Sequence, residues 1–202
     1  MESVKLSVKT ERINFLVTKK CNLRCRMCDH TRKYSLLPDM SLEQIQSMIG
    51  EAVKLGLQVL DISGGEPMMR DDIYDIIAFA TEKGVETVMM TNGTLISAPE
   101  ARRLVEAGLG TAVISLEGFE ELNDRIRGAG SFRKAIGALR AFVAFRERMR
   151  QIKVGVTVTK LNYQMLFSLT AFLFEEIGIN AVSFNPFTKY FLHESNYERE
   201  RD

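Results

Sequence analysis

Cys21, Cys25 and Cys28 are the only cysteines in a chain of 202 residues. An odd, tightly clustered set of this kind is no disulfide framework and reads instead as a ligand set. The spacing is C-x3-C-x2-C, in Cys21-Asn22-Leu23-Arg24-Cys25-Arg26-Met27-Cys28. Three thiolates on one short loop can converge on a single metal centre. Zinc would require a fourth ligand to close a tetrahedral site, and His30 is near enough in sequence to be considered. An iron–sulfur cubane normally takes four cysteines, so three leave one iron with an open position. An open iron is useful only where something else binds to it. The spacing therefore points to a reactive centre rather than a passive one.

Such a loop needs regular structure to hold it. Short β-branched or apolar runs predict strands at 13–17, 59–63, 87–91, 111–115, 154–159 and 181–185. Between them, apolar residues at helical spacing predict helices at 41–55, 72–83, 97–107, 131–149 and 162–177. Ser41 with Gln44, and Ser97 with Glu100, have the spacing of capping boxes, while Gly108 and Gly178 are stop signals. This alternation predicts an α/β fold with a parallel sheet. Right-handed crossovers in one direction would curve six strands into a partial (β/α)6 barrel, since eight are needed for closure. The expected organisation is one core domain over 1–187 and a polar tail over 188–202. The cysteine loop directly follows the first strand.

Composition narrows the function classes. Hydrophobic residues make up 46% and charged residues 26% of the chain, enough for a real core. Lys+Arg 27 against Asp+Glu 26 leaves a net charge of +1, which gives no support to a nucleic-acid binder. The basic run from Arg140 to Lys153 is interrupted by Glu147 and reads as a solvated face. No apolar run is long enough to span a bilayer, and the first residues lack an apolar signal core, so the expected location is the cytoplasm.

Four further motifs lie at the carboxyl ends of predicted strands, the edge where such folds place their active sites. They are Ser63-Gly64-Gly65-Glu66-Pro67, Thr91-Asn92-Gly93, Ser115-Leu116-Glu117-Gly118 and Asn123-Asp124-Arg125-Ile126-Arg127-Gly128. With the C-x3-C-x2-C loop they make the sequence resemble the radical S-adenosylmethionine (SAM) superfamily, from Ile13 to about Phe187. The stretch from Ser115 to Gly128 resembles members that mature peptides or build peptide-derived cofactors. Two residues depart from the usual pattern: Met27 stands where an aromatic is common, and Glu117 where Asp is.

The resemblance implies that Cys21, Cys25 and Cys28 hold a [4Fe–4S] cluster whose open iron is chelated by SAM. It implies that Met27 packs near adenine, that Gly64, Gly65 and Pro67 shape the turn over the methionine moiety, and that Glu66 accepts from its ammonium. Asn92, Ser115 and Glu117 are implied SAM contacts, and Arg127 or Arg133 the partner of its carboxylate. Val158 and Phe184 are the expected apolar flanks of adenine. The implied reaction is one-electron cleavage of SAM to a 5′-deoxyadenosyl radical that takes hydrogen from a peptidyl or small-metabolite substrate. The expected electron donor is a flavodoxin- or ferredoxin-like protein. No cysteine follows Cys28, so a SPASM-type auxiliary-cluster region is not expected, and a partner chain could cover the open barrel edge. Two alternatives are a cluster- and SAM-binding fragment or subunit that needs a partner, and a zinc-binding module.

Overall fold

Ser41 opens the first helix as its spacing requires. Its hydroxyl accepts from the Gln44 N–H, and the Gln44 side chain accepts from the Ser41 N–H at 2.9 Å. Helix α1 (Leu42–Lys54) then buries Ile45, Ile49 and Ala52 on one face. The computed structural model describes residues 9–28 and 38–187, so His30 and the tail at 188–202 fall outside the described residues.

Six strands, β1 (Arg12–Thr18), β2 (Val59–Gly64), β3 (Glu86–Thr91), β4 (Thr111–Ser115), β5 (Gln151–Val158) and β6 (Ala181–Pro186), form one sheet in sequence order. Every neighbouring pair is parallel. The crossovers contain α1, α2 (Ile73–Glu82), α3 (Ala98–Glu106), α4 (Glu120–Arg127), α5 (Ser131–Val143) and α6 (Leu166–Phe172). A π turn over Leu173–Ile177 extends α6. An order that never reverses keeps each crossover turning the same way, which gives the partial barrel.

The two faces of the sheet differ in chemistry. Leu60, Ile62, Met89, Ile114, Val154 and Val156 point to the helices and are fully buried with Ile76, Leu104, Leu139 and Phe142. Each such side chain contributes roughly 1.5–3 kcal/mol through burial. The inner face carries most of the polar strand residues, interspersed with Val59, Val88, Met90 and Val113. The Arg12 guanidinium forks both oxygens of buried Asp61 at 2.5 and 2.6 Å. Around the strand amino ends a cavity of about 340 Å³ is lined by residues that include Arg12, Glu86, Thr111, Arg150 and Lys153.

That polar interior explains one boundary. Strand β5 starts at Gln151, not at 154, because Gln151 and Lys153 face inward and give no hydrophobic signal. The helix expected over 131–149 stops at Val143, and a 3₁₀ turn at Arg146–Arg148 leads into β5. Helix α4 was not expected: among its eight residues Leu122 and Ile126 are the apolar ones. At the other end, β1 carries one extra residue. Leu16 pairs with Ser63 and Thr18 with Gly64, a bulge that re-aims the chain as it enters the cysteine loop.

A candidate active site at the carboxyl ends of the strands

Residues 19–28 contain no helix or strand, so their hydrogen bonds must come from elsewhere. Asp39 accepts from the Thr18 hydroxyl at 2.6 Å and from the Lys19 N–H at 2.9 Å. Burial pushes the Asp39 carboxyl up, but these two bonds and the charge of Arg70 outweigh it and hold the pKa below its usual value. Gly65 and Glu66 donate their N–H groups to the carbonyls of Thr18 and Lys20, at 2.9 and 2.8 Å. The Asn92 side-chain amide donates to Asn22 Oδ1 at 2.9 Å, and Asn22 donates to Thr94 Oγ1 at 2.8 Å. Finally, the Arg26 N–H donates to the Ile126 carbonyl at 2.8 Å. The loop is thus sewn to the ends of β2, β3 and α4.

The two glycines are needed for this seam. Gly64 has φ +134°, and a Cβ there would lie 2.3 Å from the Thr18 carbonyl oxygen. A Cβ on Gly65 would lie 2.1 Å from the Lys20 carbonyl oxygen. The close approach requiring glycine is therefore that of the cysteine loop itself. Gly65→Ala is expected to cost about 3 kcal/mol, since backbone rather than a pliable side chain must move. Urea unfolding measures it, and an unchanged midpoint would show that the seam opens freely.

Glu66 is fully buried beneath that seam. Its Oε1 accepts from Thr91 Oγ1 at 2.6 Å and from the Met68 N–H at 3.1 Å, and its Oε2 from the Asn92 N–H at 2.8 Å. Burial raises its pKa despite these three donors. The carboxylate is committed within the chain. Asn92 is similarly engaged, with its Oδ1 accepting from the Thr94 N–H at 2.8 Å. Pro67, also buried, opens the 3₁₀ turn Pro67–Met69.

Glu117 and Arg127 form the second cluster. The Glu117 and Arg127 side chains are 1% and 11% exposed, and Arg127 Nε donates to Glu117 Oε1 at 3.0 Å. The Arg127 Nη2 donates to the same oxygen. Glu117 Oε2 accepts from the Thr157 N–H at 2.8 Å. Burial opposes the charge on Arg127, but Glu117 and Cys25 more than compensate and raise its pKa. Of the two arginines weighed for this mouth, Arg133 is the one excluded. Its side chain is 79% exposed and pairs with Glu120 at 2.5 Å on the surface.

Two asparagines complete the support. Asn123 accepts from the Glu117 N–H at 3.0 Å and donates to Ser131 Oγ at 2.9 Å. Asn162 donates to the carbonyls of Glu117 and Thr157, at 2.9 and 2.8 Å, clasping β4 to β5. Asn22, Asp39, Thr91 and Asn162 were not legible as site residues. Their role is to satisfy backbone or side-chain groups from distant segments, and no local spacing reveals that.

Ser115 ends β4 on the inner face, half-buried, with no hydrogen-bond partner for its hydroxyl among the described residues. The sheet register corrects the expectation for Val158 and Phe184. Phe184 pairs with Val156 and Val158 with Pro186, which puts both on the side that faces the helices. Phe184 is 47% exposed there. Thr157 and Asn185 occupy the inward row instead.

Cys21 and Cys25 are partly buried, Cys28 is exposed, and all three are free thiols. Met27 is half-buried between the second and third. Burial pushes the Cys21 thiol up, and the Cys25 thiol to about 11, with the Arg127 charge pulling Cys25 back down. In metal-free protein at about pH 8, iodoacetamide is expected to alkylate Cys25 about a hundredfold more slowly than in the urea-unfolded chain. Mass spectrometry of the Cys25 peptide reads the ratio, and equal rates would contradict the burial. Among the described residues, no group of three or more His, Cys, Asp or Glu side chains gathers tightly enough for one metal ion, and His30 lies outside them. Three free thiols on a pinned loop fit a [4Fe–4S] group.

Comparison with known proteins agrees. Residues 15–164 match the Radical SAM superfamily. The chain is 35% identical over 162 residues to Fe-coproporphyrin III synthase of Methanosarcina barkeri, covering 79% of this chain and 40% of that one. It is 33% identical over 156 residues to mycofactocin maturase MftC of Mycobacterium ulcerans, covering 77% and 42%. The chain thus spans about two fifths of the length of these relatives. Streptococcus suis SuiB bound to S-adenosylmethionine shares the fold, with a TM-score of 0.77 at 21% identity over 91% of this chain and 43% of SuiB. SuiB bound to its precursor peptide SuiA superposes at 0.75, at 21% identity over 90% of this chain and 40% of SuiB. Superfamily members use a [4Fe–4S] cluster and SAM, the donor set on the β1 loop fits that cluster, and the chain belongs to the radical SAM superfamily.

Proposed function

We propose that this chain is the catalytic core of an enzyme that cleaves SAM reductively and removes a hydrogen atom from a peptidyl substrate. The observation that carries the proposal is the pinning of three free thiols to the ends of β2, β3 and α4, at the carboxyl edge of a partial barrel. When bound, the reduced cluster and SAM supply the 5′-deoxyadenosyl radical; everything else falls to the protein.

Cys21, Cys25 and Cys28 would hold the cluster, with Met27 beside it. Gly64 and Gly65 keep the β2 turn close to the loop, and Glu66 and Asn92 fix that turn from below. Ser115 offers a free hydroxyl at the mouth, and Glu117 orients Arg127 there. On the inner face of the strands Asn14, Ser63, Thr157 and Asn185 offer polar groups that suit peptide amides. SuiB with its bound precursor peptide and the maturase name of MftC favour a peptide, while the relative that is a coproporphyrin synthase keeps a tetrapyrrole as the second reading. The reductant is a flavodoxin- or ferredoxin-like protein, and cytoplasm is the location proposed. No helix among the described residues is long and apolar enough to cross a membrane. The polar, open interior favours completion of the site by further protein, from the same chain or a partner.

Anaerobic reconstitution with iron and sulfide, followed by reduction with SAM present, tests the reading. About four irons per chain and release of 5′-deoxyadenosine are expected. Zinc with no cluster would overturn it.

A further inference from the structure

The Glu117–Arg127 pair lies beside the cysteine loop in a fixed orientation. Ile126, next to Arg127 in α4, accepts from the N–H of Arg26, next to Cys25. The pair is almost wholly buried, so water screens it little. Glu117 is held from behind by the Thr157 N–H at 2.8 Å, by Asn123 at 3.0 Å and by Asn162 at 2.9 Å. The guanidinium has no such second anchor among the described carboxylates, and it follows Ile126, whose carbonyl takes the N–H of Arg26 beside Cys25. Glu117 Oε2 is drawn the other way, to the Thr157 N–H of β5. The pair is therefore a dipole with its positive end on the side of the cysteine loop.

From this geometry we infer that Glu117 and Arg127 form an oriented ion pair that sets the reduction potential of the group held by Cys21, Cys25 and Cys28. The inference rests on the cluster reading above. A positive end stabilises the more negative, reduced state, and Glu117 both aims the arginine and limits its effect. Arg127 and Glu117 are positioning residues here, acting through the cysteine loop, whether or not either also touches SAM.

The test is a potentiometric titration of the reconstituted 202-residue chain without SAM, followed by electron paramagnetic resonance and iron analysis. Arg127→Met is expected to lower the potential and Glu117→Gln, which keeps an acceptor, to raise it. Arg127→Lys, with its charge kept, should stay near the parent. The expected size is about a tenfold change in reduced fraction at fixed potential, or about 59 mV for one electron. Opposite shifts support the inference. Unchanged potentials, shifts of the same sign, or loss of iron from Arg127→Met and Arg127→Lys alike would overturn it, the last leaving a purely structural role. Absence of iron from the parent chain would instead bring down the cluster reading, and is seen before any variant is made.

Discussion

Cys25→Ala is expected to abolish SAM cleavage while leaving the fold intact. Cys25 is the middle ligand of the loop, flanked by the bond from Arg26 to Ile126 and facing the charge of Arg127. Its side chain makes no hydrogen bond among the described residues, and its replacement by Ala removes one sulfur from a half-buried position. Losing a neighbour of a metal ligand costs about 10–100-fold, so losing a ligand should cost more than about a hundredfold in 5′-deoxyadenosine yield. Iron content should fall with it, and circular dichroism should not change. Equal yield from the variant and the parent would mean that the loop does not hold the reactive group.

Glu66→Ala should be the most destabilising of the substitutions at the site. It leaves the buried Thr91 hydroxyl and Asn92 N–H, and the part-buried Met68 N–H, without an acceptor. Three such losses are offset in part by removing a carboxylate whose burial is unfavourable, for a net cost of about 4 kcal/mol. Glu66→Gln keeps one oxygen and should cost about half as much. Urea unfolding compares the three proteins, and a cost below about 1 kcal/mol for Glu66→Ala would refute the clamp. The pH dependence has a definite sign. Burial raises the folded pKa above 4.5. The folded chain then binds a proton that the unfolded chain releases. The Glu66 contribution is complete below pH 4.5 and declines as pH rises through the raised value. Glu66→Gln should remove that slope.

The fold was legible because the helix-facing rows of the strands are apolar and unbroken, as in Leu60 with Ile62 or Val154 with Val156. On β5 the inward residues Gln151 and Lys153 hid the start of the strand. Phe184 and Val158 read as mouth residues from their place at the strand ends, and the side they take is fixed by the pairing of β5 with β6. Helix α4 was hidden by its charges. At the site, motif spacing singled out Cys21, Gly65, Glu66, Glu117 and Arg127 as candidates. Their partners were out of reach, because Glu66 is tied to Thr91 and Glu117 to Thr157 by folding that brings distant positions together. The motif positions pointed to a chemistry, and the pairings that hold each residue in place arise only in three dimensions.

The sewing of the cysteine loop also fixes an order of events during synthesis. The loop emerges from the ribosome early, yet its fastenings are Gly65, Asn92 and Ile126, each later than the last. At roughly 5–20 residues per second, the final fastening arrives on the order of ten seconds after the thiols. Until then the nascent loop lacks its shape, and its sulfurs are open to oxidants and stray metals. The first part of the site to be made is the last to be finished, which places the assembly of a competent centre after translation of the strands that frame it.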